Sequence, residues 1–174
     1  MRELDEPVEV SEYQEVWPRW FEQEQRALCD ALRIEANNLA HTGSTAVPRL
    51  AAKPIVDLML GLSAYPPSQN LLKQLEALGW DALGEAGVPG RLYFRKRHPI
   101  SVNLHIVQKN GEHWTNNLAI RDYLRTNDIA RDAYSRAKYQ AIADGACTLL
   151  SYSAAKAEFV RGLLQEALAA RSNR

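Results

Sequence analysis

Between His41 and Asp57 the sequence gathers a histidine, a glycine, two hydroxyls, a lysine and an aspartate: His41-Thr42-Gly43-Ser44-Thr45-Ala46-Val47-Pro48, then Lys53-Pro54 and Asp57. Glycine ahead of serine at the end of a strand lets backbone N–H groups approach a phosphate closely, and the hydroxyls of Ser44 and Thr45 add donors. A carboxylate on the following strand is the residue type that holds a divalent cation against the same phosphates. Asp57 meets that description. It stands inside the apolar run Ile55 to Leu60, where an unpaired charge is costly and therefore marks a site. Lys53, just before this run, is a flexible point charge suited to a phosphate that moves during reaction.

Two histidines and three further cations belong with this group. His41 ends a strand just before the turn, where it protonates a leaving group, contacts phosphate or hydrogen-bonds the loop; the sequence leaves these readings open. His105 alternates with Leu104 and Ile106 and so faces away from them, as a ligand or base in a cleft would. Arg121, Lys138 and Lys156 come from three successive helical segments, and their cations meet on one anion if those helices pack side by side. Arg121-Asp122 equally reads as a pair that docks a helix. Tyr134 and Lys138, then Tyr152 and Lys156, repeat one i, i+4 spacing that puts each pair on a single helix face. The motifs GxSxG, GxxxxGK[ST], GxGxxG and HExxH are all missing, so Ser44 reads as a phosphate donor and not as a nucleophile.

The elements that must position these residues follow from periodicity. Apolar residues recur at helical steps from Ser11 to Arg33, and a short strand runs near Asn38 to His41. Ile55 to Leu60 lacks alternation and reads as a central strand covered on both faces. Leu71, Leu72, Leu75 and Leu78 mark a helix that Gly79 ends. A glycine-rich stretch from Gly84 to Gly90 precedes two strands in hairpin-like succession, Arg91 to Lys96 and Ser101 to Gln108. Helices follow at His113 to Arg125, Asp128 to Ala143 and Ser153 to Ala170. The expected architecture is α+β, a two-layer mixed sheet flanked by helices, with residues 1–174 forming one domain.

Composition narrows the function classes. The chain has 174 residues, 46% hydrophobic and 24% charged, with 21 basic side chains against 21 acidic ones. That balance supplies no field to hold a nucleic acid, so a local basic pocket for a small anion is expected instead. Cys29 and Cys147 form no metal-ligand spacing and read as free thiols in or near the core. No stretch approaches the roughly 18 apolar residues of a membrane span, and a cytoplasmic location is expected.

The stretch HTGSTAVPRLAAKPIVDLML resembles the signature of the GrpB family, and the likeness continues through Trp17-Pro18, Phe21, Leu104-His105-Ile106-Val107, Trp114, Arg121-Asp122-Tyr123-Leu124 and both Tyr-to-Lys pairs. The resemblance implies the nucleotidyltransferase fold of the DNA polymerase β superfamily. It also implies nucleotidyl transfer from a nucleoside triphosphate or related ligand, with Gly43, Ser44, Thr45, Lys53, Arg121, Lys138 and Lys156 on the phosphates. Asp57 would hold Mg²⁺, and His41 or His105 would act as base. The superfamily pattern has a second carboxylate two residues on and a third on a later strand; here those places fall on Met59, and on Asn103 and His105. The alternative is a non-catalytic nucleotide- or anion-binding accessory module that works with a partner enzyme in coenzyme A metabolism, since the resemblance also implies fusion to dephospho-CoA kinase.

Overall fold

The computed structural model describes residues 5–172. Its centre is a five-stranded mixed sheet in the order β1-β2-β5-β4-β3, built from β1 (Leu39–Thr42), β2 (Val56–Leu62), β3 (Asp81–Ala82), β4 (Leu92–Lys96) and β5 (Val102–Gln108). β2 runs parallel to β5, and the other neighbours are antiparallel. Five α-helices flank the sheet: α1 (Val16–Leu32), α2 (Gln69–Ala77), α3 (Glu112–Thr126), α4 (Asp128–Ala143) and α5 (Leu149–Ser172). The α+β expectation holds.

One face of the sheet is apolar at its centre. Val56, Leu58 and Leu60 of β2 and Val102, Leu104 and Ile106 of β5 pack against Trp17 and Leu28 of α1 and Leu75 of α2. The opposite face is divided. Toward the C-terminal ends of β2 and β5, Met59 and Val107 pack beneath Trp114 of α3, whose ring lies where a Cβ on Gly61 would stand. At their N-terminal ends the same face carries Asp57, Asn103 and His105, with Asp57 paired to Asn103 and Met59 to His105 in the parallel register. The alternation that buries one side of β5 thus sends its polar residues to the other.

Between β1 and β2 the chain leaves the sheet, and Val47 and Leu50 pack against Leu124 of α3, Tyr134 of α4 and Leu163 of α5. The three C-terminal helices therefore form a layer that grips this loop.

Two helix starts differ from the periodicity, each for a tertiary reason. α1 begins at Val16 and not at Ser11, because Ser11 exchanges two backbone hydrogen bonds with Ala52 (2.9 and 3.0 Å) and is held extended. α5 begins at Leu149, earlier than Ser153, because the N-terminal segment caps it: Asp5 accepts from the Leu150 N–H at 2.9 Å and the Glu6 carbonyl from the Leu149 N–H at 2.8 Å. Cys29 is half-buried, but Cys147 is exposed, which corrects the core placement expected for it; it lies in the turn ahead of α5, outside any packed face.

Helix α1 is fastened to β4 by one buried ion pair. Lys96 Nζ donates to both oxygens of Glu24 at 2.9 and 2.6 Å, with Glu24 almost fully buried. Removing one partner of such a pair leaves an uncompensated charge. We expect Glu24→Leu to cost about 2–3 kcal/mol, and Glu24→Leu with Lys96→Met to cost clearly less than the sum of the two single changes. Urea denaturation of the four proteins measures this, and additive losses would show that the pair is uncoupled.

Candidate functional site

Asp57 is held by its neighbours across the sheet. Asn103 Nδ2 donates to Asp57 Oδ1 at 2.7 Å, and His105 Nε2 lies 3.4 Å from the same oxygen. Asn103 is fixed in turn: its Oδ1 accepts from the Tyr93 hydroxyl at 2.7 Å and from Arg97 Nη2 at 3.0 Å, and Arg97 is clamped on Glu6. The orientation of Asn103, which turns its amide N–H toward Asp57, thus follows from the two donors on its oxygen. Burial works against the Asp57 charge, but the hydrogen bond and charge of His105, then Lys53 and Asn103, outweigh it and keep the carboxyl well below the usual carboxylate range. Asp57 and His105 side chains are 22% and 20% exposed, so the pair is supported from below and open above.

Gly43 forms the wall beside Asp57. Its φ of +67° is a conformation that favours glycine, and a Cβ there would collide with the Asp57 carboxylate. Ser44 to Ala46 then make one turn of 3₁₀ helix. Lys138 holds this turn from behind: fully buried on α4, it donates to Ser44 Oγ at 2.6 Å and to the Ala51 carbonyl. Arg121 Nη1 donates to the His41 carbonyl at 3.1 Å and Arg125 Nε to the Ala46 carbonyl at 2.8 Å. The loop backbone therefore meets cationic donors from α3 and α4.

Two lysines near Asp57 remain free of such duties. Neither Lys53 nor Lys156 makes a side-chain hydrogen bond or an ion pair within 4.0 Å among the described residues; Lys156 instead lies over the rings of Tyr152 (4.1 Å) and Tyr134 (5.7 Å). Burial lowers the pKa of Lys53 although Asp57 favours its charge. Burial likewise brings Lys156 down to about 8, against the same opposing pull from Asp57. Lys138 is pushed well below its usual value by burial and then by Lys156 and Lys53. The three ammonium groups thus act on one another and on Asp57.

The cleft above Asp57 has a volume of about 240 Å³. Lys53, Asp57, Asn103 and His105 line it, together with Arg91 and Tyr93 of the β4 segment, Val88 of the preceding loop, and Leu150 and Ser153 at the start of α5.

Of the residues singled out in the sequence, Gly43, Ser44, Lys53, Asp57, His105 and Lys156 come together, with Lys138 beneath them. His41 does not join them. Thr42 pairs with Asp57 in the β1–β2 register and His41 with Leu58, so alternation sends the His41 ring to the α1 face. There it stacks on Phe21 with centroids 4.7 Å apart, and its Nε2 lies 3.0 Å from Thr45 Oγ1. Burial lowers its pKa to about 4, which makes it a neutral loop support at neutral pH. Thr45 is buried in the same contact. Arg121 is spent on the His41 carbonyl and on Asp122 at 2.7 Å, the helix-docking alternative of its two readings. Lys138 supports the loop from inside the protein and does not line the cleft. Asn103, Tyr93 and Arg91 were not singled out as site residues. The alternation of β5 placed Asn103 beside His105, but nothing local marked Arg91, which follows the glycine-rich loop.

The donor set does not fit a divalent cation. Among the described residues no three His, Cys, Asp or Glu side chains are placed to hold a metal, Met59 is buried under Trp114, and Asp57 Oδ1 is already taken by Asn103 and His105. Lys53 and Lys156 supply the positive charge beside Asp57 that a cation would otherwise bring. No described helix is long and apolar enough to cross a membrane.

Comparisons with known proteins agree over almost the whole chain. The family model described as GrpB protein matches residues 7–166. The crystal structure of the conserved protein GrpB from Enterococcus faecalis superposes with a TM-score of 0.82 at 33% identity, covering 94% of this chain and 99% of that one. The UPF0157 protein YqkA of Bacillus subtilis is 29% identical over 88% of this chain, which spans only 45% of that relative. A UPF0157 protein of Pseudomonas aeruginosa is 30% identical over 95% of this chain and 70% of its own length.

The approach of Gly43 to Asp57 can be separated from its backbone conformation. Gly84 has a similar φ of +63° but open space where a Cβ would stand. We expect Gly84→Ala to lose about 1 kcal/mol through backbone strain and Gly43→Ala clearly more, about 2–3 kcal/mol, because the carboxylate must also move. Thermal unfolding of the two variants decides, and equal losses would remove the steric contribution.

Proposed function

The chain belongs to the GrpB family, and from that premise we propose that it binds the phosphates of a nucleoside triphosphate or related phosphorylated ligand in the cleft above Asp57 and transfers a nucleotidyl group without a protein-bound metal. The observation that carries the proposal is the pair of lysines, Lys53 and Lys156, that share the electrostatic field of Asp57 and have no hydrogen bond or ion pair among the described residues. Half-buried cations without an anionic hydrogen-bond partner are costly, and a phosphate relieves that cost. The backbone at Gly43 and Ser44, stiffened by Lys138, Arg121 and Arg125, completes the cradle.

Catalysis then rests on position and charge. If His105 donates its Nε2–H to Asp57, Nδ1 carries the lone pair and takes the proton of an acceptor hydroxyl. The acceptor oxygen bonds to the α-phosphorus as the bond from that phosphorus to the pyrophosphate oxygen breaks, and pyrophosphate leaves with the electron pair, its charge met by Lys53 and Lys156. Asp57 orients His105 and stabilises it when protonated. The second reading, an accessory module that binds the ligand without turning it over, is favoured by Met59 and Asn103 standing at the two further carboxylate places of the superfamily pattern.

Lys156 gives the pH dependence its sign. Its pKa in the folded chain, about 8, lies below the unfolded value, so its charge costs stability below about pH 8. That cost fades as pH rises from 8 toward the unfolded pKa, where only the unfolded chain keeps the proton. A bound phosphate raises the Lys156 pKa again. We therefore expect binding to take up protons near pH 8 and to weaken as pH climbs beyond it. Calorimetric titration with ATP, GTP, CTP, UTP and coenzyme A precursors, with and without Mg²⁺, in buffers of different ionisation enthalpy, tests this. Asp57→Asn removes the one repelling charge and should bind the ligand more tightly while releasing no pyrophosphate. Binding with no turnover in the parent protein selects the accessory module, and silence from every nucleotide rejects both readings.

A further inference from the structure

Beside the cleft, and sharing Val88, Arg91 and His105 with it, lies a second, more enclosed cavity of about 110 Å³. Its apolar lining includes Met59 and Val107, and its polar groups are Thr42, Arg91, His105, His113 and Asn117; no carboxylate lines it. Arg91 and His105 border both this cavity and the main cleft, whereas Asp57 and Lys53 border only the main cleft.

Arg91 is held in place with donors to spare. Its Nη2 donates to the Glu85 and Ala86 carbonyls at 3.2 and 3.4 Å, its guanidinium lies 5.4 Å from the Tyr93 ring centre, and Nε is buried without a partner. Nη1 makes no hydrogen bond among the described residues. The surrounding loop is braced at Gly90, whose N–H donates to Glu85 Oε1 at 2.9 Å, and by His113 Nε2, 2.8 Å from the Pro89 carbonyl. Asn117 Nδ2 donates one hydrogen to the His113 carbonyl at 2.7 Å, and its second N–H, the donor a carboxylate can use, has no partner among the described residues.

We propose that this cavity is the acceptor subsite and that it takes the carboxylate end of a small hydroxy acid. A guanidinium fork held by backbone carbonyls matches the two oxygens of a carboxylate. The volume, room for about three or four waters, admits a carboxylate and the one or two carbons that carry it, and Met59 and Val107 suit those carbons. A hydroxyl on the adjoining carbon then reaches His105 at the boundary with the main cleft, where the proposed transfer needs its nucleophile. The role as acceptor site rests on the transferase reading; the carboxylate site itself does not.

The test uses the whole chain and two matched probes, glycolate and ethylene glycol, followed by two-dimensional NMR of the backbone, the Asn117 side-chain amide and the histidine rings, with inorganic phosphate titrated separately. Glycolate should shift the Asn117 amide and the His105 and His113 rings and bind about tenfold or more tightly than ethylene glycol. That preference should fall to about one in Arg91→Gln and in Asn117→Leu, the second an exposed helix position where folding is not at stake. Equal binding of the two probes, or a preference retained in both variants, overturns the proposal. Phosphate shifts at Ser44 and Gly43 with no glycolate preference would leave the phosphate reading standing and sink the subsite. The reverse pattern would keep the carboxylate site and sink the phosphate reading.

Discussion

A carboxylate on the central strand of an otherwise apolar sheet imposes the arrangement around it. Asp57 cannot stay charged in that setting unless its neighbours compensate, and each adjoining element contributes. β5 supplies Asn103 and His105, the segment before β2 supplies Lys53, α5 brings Lys156, and Gly43 leaves room for the carboxylate to turn toward the loop. The support reaches further through Asn103 to Tyr93, Arg97 and Glu6. A chain of hydrogen bonds thus connects the N-terminal segment to the site, and the same segment caps α5, which carries Lys156.

The loop after β1 is built with comparable economy. Backbone carbonyls of His41, Ala46 and Ala51 each receive a cationic donor, from Arg121, Arg125 and Lys138. Charge-assisted bonds of this kind are short and strong in a low-dielectric setting, and they fix the loop without consuming its own N–H groups. This division of labour explains why two of the helical cations read as ligand contacts turn out to hold the loop, while Lys53 lines the cleft and Lys156 lies over the Tyr152 and Tyr134 rings within the field of Asp57.

Charge compensation by lysine is also the alternative to charge compensation by metal. A cation site needs several anionic oxygens to converge, whereas here one carboxylate is surrounded by ammonium groups, an amide and an imidazole. Met59, where a second carboxylate would stand, has joined the apolar packing under Trp114. The charge of Asp57 is therefore met by side chains of the chain itself, His105, Lys53 and Asn103.

Local sequence determined much of this. β2 and α4 were legible because an uninterrupted apolar run and a helical stripe beginning after Asn127 are properties of neighbouring residues; α4 spans Asp128–Ala143 as the periodicity indicated, capped by Asn127. The grouping of Gly43, Ser44, Lys53 and Asp57 was legible because loop and strand are contiguous, and alternation alone put His105 beside Asn103. Tertiary structure decided the rest. His41 lies on the far face because the β1–β2 register, and not the order of residues, sets which side chain stands beside Asp57. Arg121 and Lys138 became loop supports because carbonyls some eighty or ninety residues away lie within their reach. Arg91 entered the cleft because a loop without periodicity folds back over β5. The start of α5 depends on a cap from Asp5, at the other end of the chain. Periodicity records which face of an element is buried, but register and long-range hydrogen bonds decide what that face meets.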